Sequence, residues 1–294
     1  MNWIENDAGQ GEAALLQLID AHAPSSAPFF FISHNITHGR FNRAIKKHPN
    51  AFGLWGHWHF SAANWGIIRM LNETTPGVQC PACPAWWRPD GKWMGGGDNG
   101  ITKVPLEGKL QGGKWEQGLV VRVYDDMLTI ERREFSEGGS LGVEWVMPFG
   151  KNPHPFSKDE LKKVIGEPQF KRGAALEICN YGNMETKEIP QFHNSIIPQS
   201  HNLTIKIPLA DGNPDSRVYA YEIVVVGDEG APKLHKAVYA AGCNMGIGHE
   251  PNGGVTTLDI PKSELPPGKT LTFAVRPLTS LGTSGKAIAT EFKV

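Results

Sequence analysis

The chain lacks a disulfide framework. Its four cysteines, Cys80, Cys83, Cys179 and Cys243, are too few and too scattered over 294 residues to staple a small scaffold. No apolar run approaches the ~18 residues that span a bilayer, so no transmembrane segment is expected. Net charge is almost absent: 29 Lys and Arg against 30 Asp and Glu leave −1. The basic residues in IKKHPN, KDELKK and FKRG are dispersed among acids, which excludes a nucleic-acid-sized basic face and a nucleic-acid partner. The first twenty residues have no positive n-region, continuous apolar h-region or small-residue cleavage site, so no signal peptide is read there. What the chain has in excess is turn residues. Its 34 glycines and 22 prolines exceed the ~12% average for the pair and favour many turns and short strands over long helices.

At this length two domains are the prior. Apolar residues at helical spacing over 10–22 predict a helix, broken at APSSAP. Phe29-Phe30-Phe31-Ile32 reads as a strand buried on both faces and ends at Ser33-His34. A stretch with helical potential, GRFNRAIKKHP, leads to a second apolar run, Ala51 to Trp55, which ends at Gly56-His57-Trp58-His59. Strand, crossover, strand predicts parallel neighbours whose carboxyl ends share one edge, where His34, His57 and His59 converge. Residues 60–116 read as long Gly-, Pro- and Trp-rich loops around one or two short strands. Gln117 to Arg133 reads as a hairpin turning at Asp125-Asp126, with a third strand near Leu141 to Met147. These observations set domain boundaries at 1–150, at 151–172 for a linker with one short helix, and at 173–294 for seven short strands. Seven strands in that span are the pattern of a β-sandwich, and LPPGKTLTFAVRPLTSLGTSG resembles the sixth strand and following loop of fibronectin type III domains.

Imidazoles at i and i+2 project to one side of an extended segment, so His57 and His59 can each face a different metal of a pair. His34 at the neighbouring strand end supplies a third ligand. In order, spacing and context, these residues resemble the calcineurin-like metallophosphoesterase family. That family ends its catalytic domain with a strand-end histidine, a crossover helix and a G-H-x-H loop, and QGLVVRVYDDMLTIERREF resembles its closing hairpin. The resemblance spans residues 1 to about 150. It implies the carboxyl-terminal portion of an α/β sandwich of two sheets flanked by helices, followed here by an all-β immunoglobulin- or fibronectin III-like sandwich. It also implies a hydrolase holding two divalent ions such as Mn, Fe or Zn, with His34 and His57 on one and His59 on the other. The substrate would be a phosphate mono- or diester, attacked by a metal-activated hydroxide. Relatives of this architecture are often extracytoplasmic.

The family's D-x-H, G-D-x-x-D and G-N-H-[DE] motifs are absent as a set. Asp20-Ala21-His22 fits the first literally but ends a helix, and eleven residues before His34 leave no room for the others. Gly97-Asp98-Asn99 and Gly182-Asn183-Met184 read as turns. Three neutral imidazoles cannot bridge two ions without carboxylates, so no catalytic residue is assigned and at most a partial metal site, a single ion on three imidazoles and a water, is expected. A chain of this kind is expected to need a missing amino-terminal half or a completing partner chain. Cys80-Pro81-Ala82-Cys83 has no second pair and reads as a loop. Trp86, Trp87 and Trp93 offer either an aromatic platform or loop packing, and His38 sits four residues past His34. The alternative function is a non-catalytic module that binds glycan or protein, its histidines vestigial.

Overall fold

Aromatic and β-branched residues fill the strands of the computed structural model. It describes residues 10–22, 28–34, 45, 48, 50–56, 61–71, 75–80, 104, 106–107, 116–136, 138–149, 156–180, 202–212, 217–228, 233–243, 245–249 and 251–293. Helix α1 spans Gln10–His22. Strands β1 (Phe29–Ser33), β2 (Ala51–Trp55), β3 (Ile68–Met70) and β4 (Pro76–Gln79) form a sheet in the order β1-β2-β4-β3. The parallel pairing of β1 with β2 is present, in the register Phe29↔Ala51 to Ser33↔Trp55. One face of this sheet packs Phe31, Ala51 and Trp55 against Ile19 of α1. Burial on both faces does not hold along β1: it is an edge strand, and Ile32 at its carboxyl end is 81% exposed.

After β5 (Leu106–Glu107), the strands β6 (Gln117–Val123), β7 (Met127–Glu134), β8 (Gly139–Ser140) and β9 (Trp145–Pro148) form a second antiparallel sheet. Its Leu128, Ile130, Trp145 and Met147 share one core with Phe52, Ile68 and Val78 of the first sheet. Helix α2 (Lys158–Ile165) adds Leu161 and Ile165 to that core. Its start follows from S-x-x-E: the Ser157 hydroxyl accepts from the Glu160 amide at 3.3 Å. Inside the same core lies Arg132, fully buried, its guanidinium carbon 4.3 Å from the Trp145 ring centre and 5.1 Å from that of Trp65.

The remaining strands are β10 (Gln169–Phe170), β11 (Glu177–Asn180), β12 (Asn202–Ile207), β13 (Ala210–Asp211), β14 (Ala220–Val226), β15 (Leu234–Tyr239), β16 (Thr256–Pro261), β17 (Thr270–Leu278) and β18 (Ile288–Lys293). The seven strands expected beyond residue 173 are all among them. They form a β-sandwich: a sheet β11-β12-β16 faces a sheet β18-β17-β14-β15, which β5 extends by pairing parallel to β15. Leu203, Ile205, Ile207, Leu258 and Ile260 of one sheet meet Tyr221, Ile223, Val225, Leu271, Phe273 and Val275 of the other. The alternation of burial along β16 and β17 is the period of two that a one-sided strand requires. Tyr221 pins the crossing chain, its hydroxyl donating to Pro208 O at 3.2 Å and accepting from Ala210 N at 3.0 Å.

The expected α/β sandwich is corrected by this architecture. Among the described residues there are two helices against eighteen strands, so the molecule is mostly β. The crossover between β1 and β2, on which the α/β expectation leaned, lies largely outside the described residues. None of the described helices is long and apolar enough to cross a membrane.

Candidate functional site

The edge where β1 and β2 end is the first place to look. The Ser33↔Trp55 register puts the two carboxyl ends side by side, and His34 follows on the exposed surface. Gly56 lies against it: a Cβ added there would come within 3.8 Å of His34 Nδ1. The chain is fixed again just beyond, where Gln117 Oε1 accepts from Ser61 Oγ at 3.0 Å and from Ala62 N at 2.8 Å. His57 and His59 lie outside the described residues, as do His38, Cys83, Trp86, Trp87, Trp93 and the two turn-like motifs. Cys80 is exposed at the end of β4. Asp20 is exposed on α1, 3.8 Å from His48 Nε2, and His22 is exposed in the last turn. Among the described residues no three His, Cys, Asp or Glu side chains group as metal ligands.

The sandwich offers a different arrangement. At one end its connections are packed against the amino-terminal sheets. The Trp65 amide donates to Ser280 Oγ at 2.9 Å, and the Ile247 amide to Ser140 O at 3.0 Å. Gly139 of β8 and Gly246 meet backbone to backbone; a Cβ on Gly139 would fall 2.6 Å from the Gly246 Cα, so neither position has room for a side chain. Leu281 joins the amino-terminal core. The connections between β15 and β16 and between β17 and β18 are thereby turned toward protein.

The outer face of the β18-β17-β14-β15 sheet carries a charge cluster. Glu222 is the lone acid in the apolar strand AYEIVVV, and period two puts it on the outer side with Val224 and Val226. The antiparallel register sets Arg276 directly opposite on β17 and Val224 opposite His235 on β15. The Arg276 Nε–H donates to Glu222 Oε2, and His235 Nε2 is 2.5 Å from Glu222 Oε1. Glu222 is 4% exposed beneath these two side chains, which are themselves 50% and 35% exposed. Burial pushes the Glu222 carboxyl up, but the hydrogen bonds and charge of Arg276, with His235, outweigh it and hold the group below its ordinary value. Among the described residues Glu222 is the group that bonds the Arg276 guanidinium, through Nε alone. Nearby, Lys236 ties β5 to the sandwich through Glu107 at 2.6 Å and Glu264 at 2.8 Å.

A groove of about 440 Å³ on the amino-terminal hairpin makes an instructive contrast. It is lined by Arg122, Tyr124, Glu131, Ser140, Gly142 and Glu144. Arg122 spends both terminal nitrogens on its own protein, one on Glu144 and one on Glu131, each at 2.9 Å. The groove keeps no such donor pair for a ligand.

Sequence reasoning did not single out Glu222, His235 and Arg276. The signal was a charged residue inside an otherwise apolar strand, yet the partners stand 13 and 54 residues away, beyond any local pattern.

No family model matches the chain, and no curated protein matches it. A solved structure to which it is similar is the selenomethionine-substituted chicken interferon gamma receptor alpha chain. The identity is 10%, the TM-score 0.26, and the match covers 57% of this chain and 65% of that one. A likeness at that score assigns no role. The lack of a family-model match and the mostly-β fold overturn the metallophosphoesterase resemblance, and with it the description of the chain as a truncated, metal-binding, calcineurin-like hydrolase or phosphatase: three histidines around two strand ends matched a motif without the fold around it.

Proposed function

We propose that this chain is a non-catalytic binding protein whose β-sandwich presents the outer face of the β18-β17-β14-β15 sheet to a protein partner. The observation that carries the reading is the pre-ordered cluster of Glu222, His235 and Arg276 on a half-exposed aliphatic face. The loop-bearing end of the sandwich is engaged with the amino-terminal sheets, whereas on this face Arg276 is half-exposed and His235 partly exposed. Around the cluster stand Val224, Val226 and Ala274, all partly exposed. A flat aliphatic surface with a central arginine has the composition of a protein interface, in which arginine is enriched.

The test is a display selection of protein fragments against the full chain, with every binder re-measured on Val224→Arg and on the triple variant His34→Ala, His57→Ala, His59→Ala. Saturable binding lost in Val224→Arg and kept in the triple variant is the expected result. Metal-dependent ester hydrolysis abolished by His57→Ala, or binders indifferent to Val224→Arg, would overturn it.

A further inference from the structure

Resting on that reading, we infer that Arg276 is the anion-recognition point of the sheet face, with His235 beside it, and that it receives a carboxylate of an extended acidic protein segment. The geometry is that of a built donor. An arginine on a surface costs side-chain entropy to hold in one place; here Glu222, nearly inaccessible, holds Arg276 through Nε alone. The two terminal amino groups are left for a ligand in the fork geometry that matches a carboxylate bidentately. His235, anchored on the other oxygen of the same carboxylate, flanks the fork from β15.

The neighbours favour an anion. By register Ala289 of β18 lies opposite Ala274, which precedes Arg276 on its own face, and Val224 lies between Ala274 and His235. The face's exposed acid, Glu291, is opposite Thr272, two pairs further along. The compensating negative charge of Glu222 lies beneath Arg276, so an approaching carboxylate meets the guanidinium first. Aliphatic side chains around the fork suit a peptide backbone with short side chains, whereas a sugar ring would call for an aromatic platform.

The probe is a fluorescein-labelled peptide of alternating Glu and Val, titrated with the full chain and followed by anisotropy. A sulfated heparin-derived oligosaccharide runs in parallel. Binding of the peptide should weaken about tenfold or more in Arg276→Gln, the scale of losing a charge-assisted bidentate contact. Because Arg276→Gln also leaves Glu222 short of a partner, Arg276→Lys is the second variant. It keeps a cation for Glu222 and loses the fork, so it should bind the peptide nearly as poorly as Arg276→Gln while unfolding with the wild-type midpoint. Peptide binding unchanged in both variants overturns the anion point while leaving the binding face standing. Heparin binding that depends on Arg276, with no peptide binding, overturns the acidic protein segment as occupant. No binding of either probe overturns the inference outright, and fragments selected by display decide separately whether the face binds anything.

Discussion

The two halves of the molecule bury charge in opposite ways. Arg132 of the amino-terminal unit is fully enclosed, faces two indoles and donates to Ala62 O at 3.2 Å. Glu222 of the sandwich is almost as inaccessible, but what covers it is a half-exposed arginine and a partly exposed histidine on the outside of a sheet. The first arrangement has its back to solvent on every side and can only hold the structure together. The second spends a buried carboxylate on ordering groups that water, or a partner, can still reach. Burial alone therefore does not separate a structural charge from a functional one; the exposure of its partners does.

Arg132→Ala is the change with the largest expected effect. It empties the slot between Trp65 and Trp145, forfeits two desolvated cation–π contacts and drops the bond to Ala62 O. A loss of about 3 kcal/mol or more is expected, as for large-to-small core changes, read as a lower denaturant midpoint in equilibrium unfolding. Peptide binding by the surviving folded fraction should be unaltered, which sharpens the division between the two charges. A variant as stable as the wild type would erase that division.

Next in size is Gly246→Val. The contact with Gly139 leaves no space for a Cβ, so the side chain must force β8 away from the sandwich at about 2 kcal/mol, the usual scale of overpacking. Limited proteolysis checks it: faster cleavage in the segment joining β9 to β10, with the sandwich core resistant, shows the two units losing their contact. An unchanged cleavage pattern would mean that the two backbones part without cost.

Much of the fold was legible because strand periodicity is local. Alternation along Thr256–Pro261 and Thr270–Leu278 is enough to see one buried and one exposed face. The same period places Arg132 on the inner face with Leu128 and Ile130, a position that its charge disguised. The failures came from non-local physics. The Phe29–Ile32 run does not say how many strands will lie beside it, and β1 is an edge strand with Ile32 exposed. Three histidines at strand ends pointed to an α/β domain because strand, crossover and spacing are local signals, whereas the mostly-β surroundings that overturn it are not. Glu222 and Arg276 come together only through the pairing of β14 with β17, which is a property of the assembled sheet.

The smallest effect is the most diagnostic of the sandwich cluster. Desolvation raises the Glu222 carboxyl and the Arg276 and His235 contacts lower it, with a net position below its ordinary value. A carboxyl depressed in the folded state contributes stability that is fully present above its unfolded pKa and is lost as pH falls toward the folded one. Between about pH 5 and pH 3, below the range where imidazoles titrate, the midpoint difference between wild type and Glu222→Gln should therefore shrink. Arg276 stays charged throughout, so the change isolates the carboxylate. If instead the difference grew with acid, burial rather than Arg276 would dominate the site; Glu222 would then favour its neutral form, and the ordered guanidinium on which the anion point depends would lose its anchor at low pH rather than merely weaken.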